Sequence, residues 1–408
     1  MSPPPALSPS AVSNERAESR KGLRRVVLAL SFLESFATIL LERAIYFFSQ
    51  ERLHYSETEN LALALCFGAT YTLGAARSHA LSRRLGERRA LGLTLGGLLV
   101  FHGLLALLPG GWLLPVGFAL VGLLEGAKWP IVESYVAAGL GPEAQQRAVG
   151  QFNVCWASAV PLALALAGPL IASGHPGALF VVATGLNAGS LLLLPRFPAR
   201  VEHMAASDPS RPLGAALERY RALLGSSRWS MLSSYALMFL LAPLLPEVFR
   251  RLGCSVQRAT LWASCLDAVR LATFAYLAVV PGWHGRRAPL LLSSVGLPLG
   301  FCAIVFGGTL PSVVFGELVF GVLAGISYYA ALYYALVVQN ASVDAGGAHE
   351  GLIGLGLVVG PALGLIGHAL AHAGTTYQAG ILAAALPFVL ACWFGALRSL
   401  TRPASASA

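Results

Sequence analysis

The residues of this sequence best suited to chemistry are charged side chains inside apolar stretches. Glu125, Lys128 and Glu133 lie in the apolar stretch 112–138. An ionisable residue near the centre of a bilayer costs roughly 3 kcal/mol, so it needs a partner or a task. At helical spacing the three side chains fall on or beside one stripe, with Glu133 nearer the end of the span and level with Glu34. They predict either a site that binds substrate or moves protons, or an ion pair that fixes helix packing.

A second group of this kind lies in the first apolar stretch, where Glu42 and Tyr46 are one helical turn apart and Arg43 is adjacent. Because the two stretches run in opposite directions, we expect Glu42 and Arg43 at the depth of Glu125 and Lys128. Two carboxylates and two cations removed from water titrate as a coupled set, which is the physical requirement of proton coupling. The alternative is a static quartet that holds the first six helices together.

The second half of the chain adds three further candidates. Asp267 and Arg270, at i and i+3, predict a second buried pair that is either self-neutralising or functional. Glu317 has no partner within its own helix, which makes it a second candidate proton carrier. Tyr329 and Tyr333 are one turn apart and predict an aromatic face that either binds substrate through its hydroxyl groups or packs.

Two histidine-containing motifs lie near the ends of the eleventh apolar stretch. His349 and Glu350 open it and predict a gate or a favourable interaction with the helix dipole. His368 and His372 are one turn apart near the other end, but the sequence offers no third ligand beside them, so we predict no metal site. No GxSxG, Walker, HExxH or dinucleotide motif occurs in a suitable context, so we expect neither an enzyme nor a cofactor.

The composition indicates which elements position these side chains. Of 408 residues, 56% are hydrophobic and 12% are charged, and the mean hydropathy is +0.67. These values describe a polytopic membrane protein rather than a soluble enzyme. Apolar stretches of about 20 residues are typical of membrane-spanning helices and exceed the length of barrel strands. We therefore predict an all-α polytopic membrane protein with twelve transmembrane helices in two pseudo-symmetric six-helix bundles. The predicted spans are 25–49, 60–82, 88–108, 112–138, 148–173, 176–195, 229–250, 259–281, 288–306, 311–338, 349–371 and 377–397.

The predicted organisation places a disordered cytoplasmic tail at 1–23 and the N-terminal bundle at 24–195. A cytoplasmic linker at 196–228, which includes a surface helix, leads to the C-terminal bundle at 229–398 and a cytoplasmic tail at 399–408. Most of the 28 Lys and Arg residues fall in loops on the side of the two termini. By the positive-inside rule both termini are cytoplasmic, in a plasma (inner) membrane. The net charge of +9 therefore reflects topology and does not imply nucleic acid.

Both halves show the same order of small residues, which indicates a duplicated fold. The pairs Gly122/Gly126 and Gly321/Gly325 occupy equivalent spans, and the following spans contain Gly168-Pro169 and Gly360-Pro361. With twelve spans, a long central linker and a basic loop between spans 2 and 3, the chain resembles the major facilitator superfamily over nearly its whole length. The resemblance implies that spans 1, 4, 7 and 10 line a central cavity between two rocking halves.

The basic loop His79–Arg89 carries part of this resemblance. In the superfamily the loop usually reads Gly-x-x-x-Asp-Arg-x-Gly-Arg-Arg. Arg84, Gly86 and Arg88 match that motif, which implies a cytoplasmic gating loop. Arg83 stands where the aspartate belongs, and this departure puts the cytoplasmic latch that the aspartate makes in doubt.

A narrower likeness is to the proton-coupled oligopeptide transporters. The run Glu42-Arg43-Ala44-Ile45-Tyr46-Phe47 is similar to the second half of their Glu-x-x-Glu-Arg-Phe-x-Tyr-Tyr motif, and Lys128 and Gln151-Phe152-Asn153 add to it in spans 4 and 5. Ile39 stands where the first glutamate belongs, and Ala44 replaces the phenylalanine. We interpret this likeness as similar proton chemistry and not as evidence of a peptide substrate.

These patterns predict a secondary active transporter that moves a small organic molecule by alternating access, coupled to protons. Export of a drug-like compound or a secreted metabolite such as a siderophore is favoured, and uptake of small peptides or organic acids is the alternative. A hypothesis of another class is a non-transporting membrane sensor or scaffold, which the missing aspartate favours. The predicted partners are a small-molecule substrate, protons and the lipid bilayer, with no nucleic acid, and the chain is predicted to be a monomer.

Overall fold

The structure is a computed structural model that describes residues 9–137, 142–201, 214–339 and 343–401. Within these ranges the chain is helical and contains no strand. The helices of the first half are α1 (Pro9–Glu42), α2 (Ile45–Leu53), α3 (Glu57–Leu85), α4 (Glu87–Leu107), α5 (Leu113–Ala137), α6 (Pro142–Ala172) and α7 (Ala178–Leu193). Those of the second half are α8 (Ala215–Leu241), α9 (Leu245–Arg251), α10 (Val256–Val279), α11 (Ala288–Val305), α12 (Leu310–Gln339), α13 (Val343–His372) and α14 (Tyr377–Thr401).

The first span of each half is broken at an equivalent place. Helix α1 gives way to α2 around Ala44, and α8 gives way to α9 around Leu244, where the two axes differ by 52°. Interrupted backbone at membrane depth is tolerated where protein covers it, and Ala44 and Leu244 are both buried. The repeated break supports the predicted pseudo-symmetry of the two halves.

Nine described helices are long and apolar enough to cross a membrane, or ten if α8 and α9 form one span. These nine are α4 to α7 and α10 to α14. Helices α1 and α3 are less apolar because α1 carries Glu34 and Glu42, and α3 carries Asn60 with several threonines. Glu34 and Asn60 are fully buried against protein, which removes them from lipid. The predicted all-α polytopic fold is confirmed.

Two helices begin inside segments predicted to be a tail and a linker. Helix α1 starts at Pro9, inside the segment predicted as a tail, and α8 starts at Ala215, inside the predicted linker. The predicted surface helix of the linker is therefore the first part of a continuous helix that ends at Leu241. Leu223 and Leu224 are buried, so the apolar packing of α8 begins before the predicted boundary of the bundle.

The two halves meet where glycines let helix backbones approach closely. A Cβ at Gly68 of α3 would collide with the backbone of Leu357 in α13, and one at Gly168 of α6 would collide with Val256 and Gln257 in α10. Small residues at such contacts allow tight packing between membrane helices. The pairs α3–α13 and α6–α10 therefore form the interface between the halves.

The helix ends define two faces of the bundle. At one face α3 ends and α4 begins around Gly86, whose φ of 79° favours glycine. Helix α1 begins there, α11 begins there after Arg286 and Arg287, and α14 ends there. We call it the basic face because the exposed arginines of these loops lie on it. At the opposite face α2 leads into α3, and α9 leads into α10.

Candidate functional site

A cavity lies between the two halves. Its walls come from α1, α3, α5 and α6 on one side and from α8, α10, α12 and α13 on the other. The helices that the family resemblance implies are among them, since α1, α5, α8 and α12 are spans 1, 4, 7 and 10. The lining residues are Ser35, Thr38, Ile39, Glu42, Arg43, Tyr71, Trp129, Glu133, Phe152, Trp156, Val160, Tyr235, Met238, Phe239, Arg270, Tyr328, Glu350 and Ile353.

The charged side chains of the cavity wall are Glu42, Arg43, Glu133, Arg270 and Glu350. The rest of the wall is mainly aromatic and aliphatic. A concave, mostly apolar site with a few convergent polar groups is the usual form of a small-molecule site. Ionisable residues that face a cavity in a membrane bundle mark substrate or proton pathways.

Lys128 does not line this cavity but forms the centre of a buried cluster behind its wall. Its Nζ lies 2.8 Å from Glu34 Oε2 and 2.7 Å from Glu125 Oε2, and it donates to Thr38 Oγ1 at 3.3 Å. Glu42, which the sequence analysis placed beside Lys128, lines the cavity instead. It lies more than two turns beyond Glu34, about 12 Å along a helix, so Lys128 reaches one of these acids and not both.

Further hydrogen bonds complete the Lys128 cluster inside the first half. Asn187 Nδ2 donates to both oxygens of Glu34, at 3.0 and 3.2 Å, and Asn187 Oδ1 lies 2.5 Å from His102 Nδ1. Trp129 Nε1 donates to Glu125 Oε2 at 3.1 Å, whereas Glu125 Oε1 has no partner among the described residues. One ammonium thus faces two carboxylates, so the cluster is neutral only when one acid holds a proton.

A second charged cluster bridges the two halves. Arg43 Nη1, at the break of the first span, lies 3.3 Å from Asp267 Oδ2 in α10. The predicted Asp267–Arg270 pair also forms, with 3.5 Å between Asp267 Oδ1 and Arg270 Nη1. The Arg270 guanidinium lies 5.2 Å from the centre of the Trp156 ring, and its Nε has no hydrogen-bond partner in the described part of the chain. Two cations therefore share one carboxylate at the cavity wall.

Glu317 of α12 lies close to this second cluster. Its side chain is fully buried, and neither carboxyl oxygen has a hydrogen-bond partner among the described residues. Arg43 and Asp267 are its charged neighbours. A buried carboxyl without such a partner is stable chiefly in its neutral form.

Glu133 joins a third polar group that also bridges the halves. Its carboxyl, in α5, lies within hydrogen-bonding reach of the Glu350 carboxyl in α13. Tyr71 Oη, in α3, donates to Glu350 Oε2 at 2.5 Å. The sequence predicts a role for Glu133 and a gate at Glu350, but it does not predict a role for Tyr71. No sequence signal for Tyr71 was available, because its polar partner belongs to the other half.

The predicted tyrosines occupy different surroundings. Tyr329 and Tyr333 pack against Trp283, with ring centres 5.8 and 5.1 Å apart, and they are not among the residues that line the cavity. Tyr328, the neighbour of Tyr329, lines the cavity instead. Tyr46 is buried edge-on to an aromatic ring of α5 and lies outside the cavity wall.

The predicted gating loop is anchored to the chain that follows α7. Arg88 Nη1 donates to the Phe197 carbonyl at 3.3 Å, and the Arg88 amide donates to the Ala199 carbonyl at 3.5 Å. Gly86 turns the chain between two helices, and Arg84 is exposed. These contacts tie the loop to its own half.

The histidine pair lies at the opposite face. The rings of His368 and His372 are 4.8 Å apart, and His368 packs against Tyr377. No group of three metal-ligating side chains occurs in the described ranges.

Comparison with known proteins gives consistent results. A model of the Major Facilitator Superfamily matches residues 26–266, which is more than half of the chain. The human organic anion transporter MFSD10 (TETRAN) has a similar structure, with a TM-score of 0.64 at 16% identity, over 92% of this chain and 99% of that one. The structure of a bacterial homologue of the human lysosomal transporter Spinster has a TM-score of 0.66 at 15% identity, over 94% of this chain and 97% of that one.

The E. coli fucose:proton symporter FucP gives a TM-score of 0.61 at 12% identity, over 92% of this chain and 98% of that one. A search of curated protein sequences gives no match. At these identities the likenesses to solved structures show the fold alone.

Proposed function

The chain belongs to the major facilitator superfamily, and from this premise we propose that it couples the movement of a small organic molecule to protons. It is a multi-pass membrane protein and a secondary transporter that works by alternating access, rather than an enzyme. In such a transporter a central site opens to one side of the membrane at a time, as two bundles rock against each other.

The observation that carries the proposal is the composition of the cavity wall. Glu42, Glu133 and Glu350 supply three carboxyls, whereas Arg43 and Arg270 share Asp267 between them. Carboxyls that alternate between a buried state and water change their proton occupancy as their surroundings change. An inter-half cavity with such acids meets the physical requirement for coupling.

The proposed cargo is an amphipathic molecule, and the proposed direction is export of a drug-like compound or a secreted metabolite such as a siderophore. Trp129, Trp156, Tyr235 and Tyr328 contribute aromatic rings to the wall, which suits a partly apolar cargo. In this proposal the protein lies in the plasma (inner) membrane with both termini cytoplasmic. The arginine-rich loops of the basic face support that orientation.

Uptake of small peptides or organic acids is the second candidate. Arg43 and Arg270 both line the cavity, and guanidinium groups are well suited to binding a carboxylate through paired hydrogen bonds. One structural neighbour is named as an organic anion transporter and another as a fucose:proton symporter. Their names are consistent with this candidate as well.

The test uses purified protein in liposomes that contain a pH-sensitive dye. An imposed proton gradient is challenged with catechol siderophores, cationic drugs, peptides and organic acids, first pooled and then singly. We expect substrate-dependent proton movement in the wild type, strong reduction in Glu42→Gln, and wild-type behaviour in Glu51→Gln, whose side chain is exposed. If folded protein moves no protons with any of these classes, the proposal fails and the sensor hypothesis gains support.

A further inference from the structure

Two acidic side chains from opposite halves of the bundle meet at the cavity. Glu133 lies one turn before the end of α5, and Glu350 lies in the first turns of α13. Their carboxyls are within hydrogen-bonding reach of each other, and both line the cavity. Tyr71 of α3 donates a hydrogen bond of 2.5 Å to Glu350 Oε2. One acid of the second half is thus held by two groups of the first half.

This contact requires a proton. Two ionised carboxylates have no donor between them and repel each other, so carboxyls in contact share one proton. The Tyr71 hydroxyl has already given its hydrogen to Glu350 and supplies none for Glu133. Within the described ranges no Lys or Arg forms an ion pair with either acid, so no cation replaces the proton.

Acids, tyrosines and two arginines surround Glu350. The titratable and charged groups around it are Tyr71 of α3, Glu133 and Glu125 of α5, Glu42 of α1, Tyr235 and Arg228 of α8, Tyr328 of α12, Arg270 of α10 and the adjacent His349. Helix α14, which also packs against α13, carries Tyr377, Cys392 and Arg398 as its titratable groups. Of the two cations, Arg270 contacts Asp267, and Arg228 lies near His349.

The position of the pair ties it to movement of the halves. Helix α5 ends and α13 begins on the basic face, and Glu133 and Tyr71 belong to the half opposite Glu350. When the halves separate at that face, the contact between the carboxyls and the hydrogen bond of Tyr71 must both break. Water then reaches two carboxyls that no longer share a proton.

We propose that Glu133 and Glu350 bind one shared proton while the halves are closed at the basic face, and release it when that face opens. This inference rests on the proposed function, because it names the residues through which a proton would act on alternating access. It also predicts the sign of the effect. Acid conditions favour closure of the basic face, and alkaline conditions favour opening, because two bare carboxylates repel.

The test measures the distance between the halves by pulsed electron paramagnetic resonance. Spin labels are placed at Arg83→Cys and Arg287→Cys, which lie on the basic face in different halves, after replacement of the six native cysteines. In the wild-type background we expect the short-distance population to dominate near about pH 5 and the long-distance population near about pH 9, a range that spans carboxyl titration.

Two variants separate a shared proton from other causes of a pH effect. In Glu133→Gln the amide donates to Glu350 without a proton, so the short-distance population should persist at every pH. Tyr71→Phe keeps the carboxyl pair but removes one contact, so the pH dependence should remain with a smaller closed fraction. The control is Glu51→Gln, which removes an exposed acid at the opposite face and should titrate as the wild type does. Size-exclusion profiles confirm that each variant is folded.

A wild type whose distances do not change with pH, or a Glu133→Gln variant that titrates normally, would overturn the inference. Failure of the inference is distinguishable from failure of the proposed function, because proton movement in liposomes is measured separately. Proton-coupled transport with pH-independent distances would assign coupling to another acid. Absence of any proton movement would instead contradict the proposed proton-coupled transport.

Discussion

Buried charges occur both inside the first half and between the two halves, and the two sets are satisfied differently. Inside the first half, Lys128 contacts Glu34 and Glu125 at 2.8 and 2.7 Å, and amide, hydroxyl and indole groups add hydrogen bonds. Between the halves, Arg43 approaches Asp267 at 3.3 Å, while Arg270, on the same helix as Asp267, lies 3.5 Å from it, and neither Asp267 oxygen has a hydrogen bond from the described residues.

This difference indicates which buried charges stabilise the fold and which take part in transport. Partners inside one half do not separate during transport, so a buried charge there can keep all of its partners. Partners in different halves separate in each transport cycle, and a fully satisfied buried pair would resist that step strongly. The sequence analysis left open whether the charges of the fourth span are functional or structural. We propose a structural role for Lys128 and a functional role for the charges between the halves.

The largest effect on stability should come from Lys128→Met. This change leaves Glu34 and Glu125 buried without their cation, which costs about 3–5 kcal/mol in the free energy of unfolding. Unfolding by SDS titration in mixed micelles measures the loss. The only other lysine, Lys21, is exposed, and Lys21→Met is the matched control that should leave stability unchanged. A Lys128→Met protein as stable as the wild type would contradict the structural role proposed for Lys128.

Arg43→Met should affect transport more than folding. Asp267 keeps Arg270 as a partner, so we expect a stability loss of no more than about 2 kcal/mol. Substrate-dependent proton movement should fall at least about tenfold, because one of the two cations at the cavity wall is lost. Rates in liposomes and SDS unfolding, measured on the same preparation, give both numbers. A large loss of stability with normal transport rates would instead indicate a structural role for Arg43.

Glu317→Gln should change stability by less than about 1 kcal/mol. The carboxyl has no hydrogen-bond partner in the described ranges, so its neutral isostere loses no contact. The same unfolding titration measures this effect. A strong loss of stability would show that the Glu317 carboxylate interacts with Arg43 in the folded protein, which would extend the inter-half cluster to α12.

The smallest effect is expected at the opposite face, where Arg251 Nη2 lies 3.0 Å from Glu57 Oε1 across the halves. Arg251 is 45% exposed, and an exposed ion pair contributes about 0–1 kcal/mol. Arg251→Gln should therefore leave the unfolding midpoint nearly unchanged. A loss comparable with that of Lys128→Met would contradict the distinction between buried and exposed contacts.

The fold was largely predictable from the sequence because lipid imposes a simple rule of long apolar helices. The sequence could not show which acid Lys128 contacts, because the choice between Glu34 and Glu42 depends on how α1 packs against α5. Tyr71 and Glu350 are separated by most of the chain, and their contact exists only because α3 packs on α13. Contacts between the halves therefore required the structure.

The measurement that tests the central claim most directly compares Glu350→Gln with Glu125→Gln in liposomes, under the same proton gradient and with a substrate identified from the panel. The first acid lies between the halves, and the second lies in the cluster of the first half. The account predicts that Glu350→Gln loses substrate-dependent proton movement, whereas Glu125→Gln retains most of it. Loss in Glu125→Gln with normal movement in Glu350→Gln would contradict the account and place coupling in the Lys128 cluster.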